Sequence, residues 1–389
     1  MVELLFLLLP IAAGYGWYMG RRSVRQEREV QRSHLSRRYF QGLNFLLSDQ
    51  PDKAVDLFID MLAVDSETME THLALGNLFR RRGEVDRAIR IHQNLVARPS
   101  LSLEDRRMAM QELGEDFMVA GLFDRAENIF DELKDDKDHR QHALAQLLNI
   151  YQATKDWQQA IDIARAMGSG GGVSVKRACA HFHCQLAELA LDKGATKDAQ
   201  KQYRKALEVD PGCSRARLGM AGLLRDKGDS QGALDVLIPV LEHDRDNLTE
   251  CLPLIADSFA RLGDEDGYRE FLQEAVAKGA GASSLLALAD RLATNAGLEQ
   301  AEALVLDTIK RQPTLKAFRR LIQYQRDRLS DSAAKESLNM LAELVEQQIR
   351  IRPVYRCRQC GFSANQQYWQ CPSCKSWGQI KPIRGLDGE

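Results

Sequence analysis

Small and large apolar side chains recur at fixed offsets over most of this chain. A small residue stands at Ala54, Ala88, Ala126, Ala160, Ala199, Ala233 and Ala301, with Tyr268 in the same register, at steps of 33–39 residues. Four positions later come Phe58, His92, Phe130, Ala164, Tyr203, Leu237, Leu272 and Val305. Nine positions before the column come Phe45, Phe79, Phe117, Tyr151, Ala190, Leu224, Phe259 and Leu292. A second small column lies twelve before it, at Gly42, Gly76, Gly114, Ala187, Ala221, Ala256 and Ala289, and Leu148 departs from it. Gly83, Gly121, Gly194, Gly228 and Gly263 punctuate the repeats. These offsets predict two antiparallel helices per repeat, joined by a glycine turn. Small side chains let the backbones approach at the crossing, and the larger ones fill the space between neighbours. A single pair cannot bury its own apolar face, so the pairs must stack into a superhelix with a concave groove.

A period near 34 residues with these positions resembles the tetratricopeptide repeat, and Pro211 and Pro313 stand at its repeat ends. The expected fold is all-α: a tetratricopeptide-repeat superhelix over residues 35–350, with eight readable units. A degenerate ninth, from about Tyr324 to Gln348, is expected to cap the stack. Two insertions interrupt the array, Arg98-Pro-Ser-Leu-Ser102 and Gly168-Ser-Gly-Gly-Gly172. No Gly-Lys-Ser/Thr follows the glycine run, so a flexible joint between half-arrays is the reading rather than a phosphate loop.

The first twenty residues do not share this pattern. Leu4 to Met19 carries no charged side chain, and Tyr15, Trp17 and Tyr18 sit at its far end, where aromatic residues suit a membrane interface. Residues 1–20 are long enough to cross a bilayer core of about 30 Å. Arg21, Arg22, Arg25, Arg28, Arg32, Arg37 and Arg38 follow at once. That basic flank, residues 21–34 and the start of the array, predicts a single-pass anchor with a periplasmic N-terminus and a cytoplasmic body. A cleaved signal peptide is the rival, and the absence of basic residues before the apolar run disfavours it. Gly16 and Gly20 form a G-x-x-x-G pair compatible with a homo-oligomer.

The tail, residues 351–389, carries the chemistry. Cys357 and Cys360 form one C-x2-C hook, and Cys371 and Cys374 form a second. Four thiolates converging from two such hooks are the ligand set of a tetrahedral soft-metal site. Zinc is the expected ion and iron the alternative. Four thiolates leave zinc no open position, which points to a structural site. The tail is too short for a core of its own, so metal binding must supply much of its folding free energy. Gly361 and Pro372 suit the two tight turns, and Arg356, Arg358 and Lys375 would offset the negative thiolate cluster. Two disulfides are the competing reading. The other cysteines, Cys179, Cys184, Cys213 and Cys251, follow no framework spacing, which fits a reducing compartment.

Composition narrows the remaining classes. The formal net charge is −2 with 28% charged residues, so no basic footprint for nucleic acid is present. Cys179-Ala-His181-Phe-His183-Cys184 invites a second metal reading. On a helix, though, His181 and His183 point apart, and ordinary packing is favoured over a Cys179–His183 site. No H-E-x-x-H, G-x-S-x-G or paired-carboxylate arrangement stands out, and no enzymatic activity is expected.

An anchored array of this kind ending in a rubredoxin-type four-cysteine tail resembles the lipopolysaccharide assembly protein B family of Gram-negative bacteria, over the whole chain. The resemblance implies a bacterial inner-membrane adaptor facing the cytoplasm. Its partners would be a membrane-bound ATP-dependent zinc protease and the deacetylase that commits precursor to lipid A, whose degradation it promotes. Other lipopolysaccharide assembly proteins are further expected partners. The family's metal ligands fall on Cys357, Cys360, Cys371 and Cys374. Lys375 stands where a redox rubredoxin would have glycine, which weighs against electron transfer. An iron–tetrathiolate redox protein and a nucleic-acid-binding zinc ribbon are the alternatives. By the same resemblance the partner groove lies on the first helix of each unit, with Asn77, Arg80, Asn149 and Gln152 as candidate lining.

Overall fold

The structure is a computed structural model and describes residues 69–389, together with Gln41, Asn44, Phe45 and Lys53. The anchor expected over residues 1–20, the basic flank 21–34 and the first repeat around Ala54 lie outside the described residues. Among the described residues no helix is long and apolar enough to cross a membrane.

Helix pairs follow one another as the columns require. They are α1 Met69–Arg81 with α2 Val85–Val96, α3 Leu103–Val119 with α4 Phe123–Leu133, and α5 Arg140–Thr154 followed by α6 Trp157–Met167. Next come α7 Gly172–Asp192 with α8 Thr196–Val209, and α9 Ser214–Asp226 with α10 Ser230–Leu237 and the short α11 Val240–His243. The series ends with α12 Leu248–Leu262 and α13 Glu265–Ala277, α14 Ala282–Asn295 and α15 Leu298–Arg311, and α16 Leu315–Arg328 and α17 Ser332–Arg350. Two compact units divide the chain, one ending at Ile150 and the other running from Tyr151 to Glu389.

The column residues are buried because they sit at helix crossings. Ala88, Ala126, Ala160, Ala199, Ala233 and Ala301 have no exposed surface, and His92, Phe130, Leu237, Leu272 and Val305 four positions on are equally enclosed. The crossings leave no spare room. A Cβ at Gly114 would meet the Phe130 ring at 2.7 Å, so only glycine fits there. The first helices α1, α3, α5, α7, α9 and α12 end in one recurring turn. In it a backbone N–H reaches back five residues, as from Glu84 to the Phe79 carbonyl at 2.9 Å and from Asp264 to the Phe259 carbonyl at 3.1 Å. Gly263 takes the left-handed conformation this turn needs, at φ 69°. In the α5–α6 turn Lys155 adopts it instead, at φ 61°. Asp156, Asp229 and Asp264 then cap the following helix.

Three findings differ from expectation. The glycine run is not a loose joint: Gly168–Gly171 forms a 3-10 turn that leads straight into α7, and the unit boundary lies earlier, inside α5. His92 stands where most repeats place an aromatic or aliphatic residue, and it carries a buried charge cluster with it. Its Nδ1 lies 2.5 Å from Asp116, which also accepts from Arg80 at 2.9 Å, while Arg80 reaches Glu112 at 2.6 Å. Finally, α17 packs on α16 but buries no residue fully, leaving Met340, Leu341 and Leu344 exposed.

Beyond α17 the tail forms a three-stranded antiparallel sheet in the order β2-β1-β3. The strands are β1 Tyr355–Cys357, β2 Ser363–Ala364 and β3 Ile380–Pro382, with Tyr355 opposite both Ala364 and Pro382.

Candidate metal centre and its docking surface

Each C-x2-C hook sits at the tip of a tight turn. In the first, Gly361 N–H donates to the Cys357 carbonyl at 3.0 Å. In the second, Lys375 N–H donates to Cys371 in the same way at 3.0 Å. Both turns need a left-handed residue after the second cysteine. Gly361 supplies it at φ 79° without strain, and Lys375 supplies it at φ 59° with a Cβ in the way. Antiparallel pairing of β1 with β2, and a bridge between Gln370 and Trp377, close the two hairpins behind the hooks.

The four Sγ atoms lie within 4.8 Å of one another. Cys357 and Cys374 are 3.8 Å apart, and Cys360 and Cys371 are 3.7 Å apart. Metal–sulfur bonds of about 2.3 Å in a tetrahedron require sulfur–sulfur edges of about 3.8 Å, so the donors fit a tetrathiolate ion. Together they form a rubredoxin-like metal-binding site. Cys357 and Cys371 are buried, Cys374 is half-buried and Cys360 is exposed. Their environments differ accordingly. The Ser376 hydroxyl, 3.0 Å away, holds the Cys374 thiol down at about 6, with the Ser376 backbone N–H assisting. Burial pushes Cys371 up to about 11. Burial also opposes ionisation of Cys357, but the backbone N–H groups of Cys360 and Gln359 outweigh it and lower its pKa. The ordering of motif residues in the sequence does not single out Ser376. It reaches sulfur because the left-handed Lys375 turns the chain back. Arg358, expected beside the thiolates, is drawn away to Asp246.

The tail's own core is small, formed by Cys357, Cys371 and Ile380 with Tyr355, Phe362 and Tyr368 around them. Besides the metal site, contacts with the helices of the second unit brace it. Trp377 is 6% exposed: its ring stacks on His181, meets Phe182 and Trp157 edge-on, and its Nε1 donates to Gln152 at 2.8 Å. Trp369 lies tilted against His181. Tyr355 donates to Glu250 at 2.5 Å, and burial beside that carboxylate raises the phenol's pKa. Lys381 bridges both oxygens of Asp244 at 2.8 Å, with both side chains nearly buried. Arg384 reaches Asp246 at 2.9 Å. Glu389 accepts from the Ser283 N–H and hydroxyl at the start of α14, and pairs with Lys316.

The candidate groove residues separate. Gln152 holds the tail's indole, so the tail itself covers that part of the face. Arg80 is committed to the buried cluster with Glu112 and Asp116, which raises its pKa although burial opposes this. Asn149 donates to Gln146 at 3.1 Å, and Asn77 is half-buried with an unpartnered Oδ1. His183 meets Gln202 at 2.8 Å as a packed helical residue. Among the described residues, the four-cysteine group is the one cluster of three or more side chains able to hold a metal.

The family described as rubredoxin metal binding domain matches residues 355–382, and tetratricopeptide-repeat families match residues 71–107 and 190–257. Lipopolysaccharide assembly protein B of Escherichia coli (strain K12) is 46% identical over 388 residues, covering 100% of both chains. The chain belongs to the lipopolysaccharide assembly protein B family. The protein of that name from Haemophilus influenzae is 41% identical over 391 residues, covering 98% of each chain. Both alignments span at least 98% of this chain, array and tail alike.

Proposed function

We propose that this protein is a non-enzymatic inner-membrane adaptor that regulates lipopolysaccharide synthesis. In this reading it presents the deacetylase that commits precursor to lipid A to a membrane-bound ATP-dependent protease for degradation. The relatives' name, lipopolysaccharide assembly protein B, supports the pathway. The observation that carries the adaptor reading is the docked tail, which runs over successive repeats from Gln152 to Lys316 and makes one continuous surface with them. A scaffold works by holding two partners in fixed relation, and tethering by residues 1–20 would raise their effective concentration at the membrane. The resident ion is proposed to be zinc, held by Cys357, Cys360, Cys371 and Cys374. Bound there, it would cross-link the two hooks and leave no position open for a substrate.

Replacing Cys357 by Ser removes one thiolate and tests the reading. The expected result is loss of metal from the purified protein, unchanged helix content, and a several-fold higher cellular level of the deacetylase. A metal-free variant with a normal deacetylase level would overturn the reading. Metal analysis of the wild-type protein tests the zinc assignment separately.

A further inference from the structure

The seam between tail and array holds a polar feature that the metal centre does not use. A cleft of about 290 Å³ opens where α7, the turns at Asp210 and Asp244–Asp246, and the tail meet. Its charges do not cancel. Lys381 is matched by Asp244, which also accepts from Ser214 at 2.6 Å and Asn247 at 2.8 Å. Arg358 shares Asp246 with Arg384. Two guanidinium groups remain. Arg177 has no hydrogen-bond or ion-pair partner among the described residues. Arg245 gives one nitrogen to the Lys278 carbonyl at 2.5 Å and keeps the rest of its fork for the cleft. Asp210, the third carboxylate, accepts from the Gly212 N–H at 2.9 Å and has acceptor capacity left.

Two further observations mark this as a built site. The tail packs closely on the Arg177 stem, where a Cβ on Gly378 would meet Cδ at 2.9 Å. Below the cleft, and sharing walls with it, lies a cavity of about 20 Å³, room for roughly one water. His181, 3% exposed, lines that cavity, and its Nε2 would lie 3.0 Å from a Cβ on Gly378.

Uncompensated arginine forks in a polar cleft suit phosphate oxygens, which they bind bidentately. A volume near the lower end of small-molecule pockets admits a headgroup and not an extended chain. A spare carboxylate acceptor suits hydroxyl groups. We infer that this cleft binds a phosphate monoester carried on a small hydroxyl-bearing headgroup. Its walls come from both the array (Arg177, Asp210, Arg245) and the tail (Arg358, Lys381), so the ligand favours the docked tail over the undocked one. The inference does not depend on the partners proposed above.

Calorimetric titration of the full-length protein in detergent, with inorganic phosphate, glucose 1-phosphate and short-chain phosphatidylglycerol phosphate as probes, tests it. Saturable binding of either ester is expected, together with slower hydrogen exchange of the β3 amides. Sugar phosphate alone identifies a soluble source, and phosphatidylglycerol phosphate alone a lipid headgroup. Arg177→Gln is expected to weaken binding at least about tenfold, the loss of one charge-assisted pair, with Arg177→Lys in between. Arg245→Gln should do the same from the other wall, with helix content unchanged in both. No binding by either ester, inorganic phosphate binding as tightly as the esters, or unchanged binding in both glutamine variants would each overturn the inference.

Discussion

The Trp377 indole lies stacked on the His181 imidazole, with ring centres 5.2 Å apart and planes 24° from parallel. His181 belongs to the array and Trp377 follows the last metal ligand by three residues, so this contact ties the ion's surroundings to the helices. Trp377→Ala should cost about 3–5 kcal/mol, mostly from the docked state of the tail. The thiolates are untouched, so metal content should remain. Limited proteolysis between Arg350 and Tyr355 reads the release. A variant as protease-resistant as wild type would show that the polar contacts suffice.

Acid should loosen the same seam. Burial, with Arg215, Lys381 and Arg177 nearby, drives the His181 pKa well below the usual histidine range. Undocked, the ring would titrate near 6.5. The undocked state therefore binds a proton that the docked state refuses. Docking is at full strength above about pH 6.5 and weakens as pH falls below it, toward the depressed pKa. Indole emission followed between about pH 7.5 and 5.5, with metal content measured in parallel, tests this. Flat emission over that range would contradict it.

Lys375→Gly should strengthen the metal tail. The left-handed backbone at Lys375 costs a non-glycine residue about 1–2 kcal/mol, while an exposed lysine near the thiolates contributes less than about 1 kcal/mol. The expected outcome is slower metal loss to a competing chelator. Faster loss would mean that the lysine charge outweighs the strain.

In the first unit, Asp116→Ala should be severe. It leaves Arg80 and fully buried His92 without their shared carboxylate. A loss of about 3–5 kcal/mol is expected, seen as a lower unfolding temperature of the first unit. A change below about 1 kcal/mol would indicate that Glu112 alone satisfies Arg80.

The sequence by itself determined the local architecture. Columns of small and large residues placed the helix pairs, glycines placed most of their turns, and two C-x2-C hooks gathered four sulfurs, because each pattern acts within one repeat or one turn. Tertiary structure alone decided how the tail is used. Trp377 finds Gln152 across 225 residues and Tyr355 finds Glu250 across 105, separations that no periodicity encodes. The same holds for Arg80, which a neighbouring repeat withdraws from the groove, and for Arg177, left unpaired by the meeting of two surfaces. Period and spacing specify what a segment becomes. Which side chains finally pair depends on stacking angles and on the docking of a short tail, and these exist only once the repeats have packed.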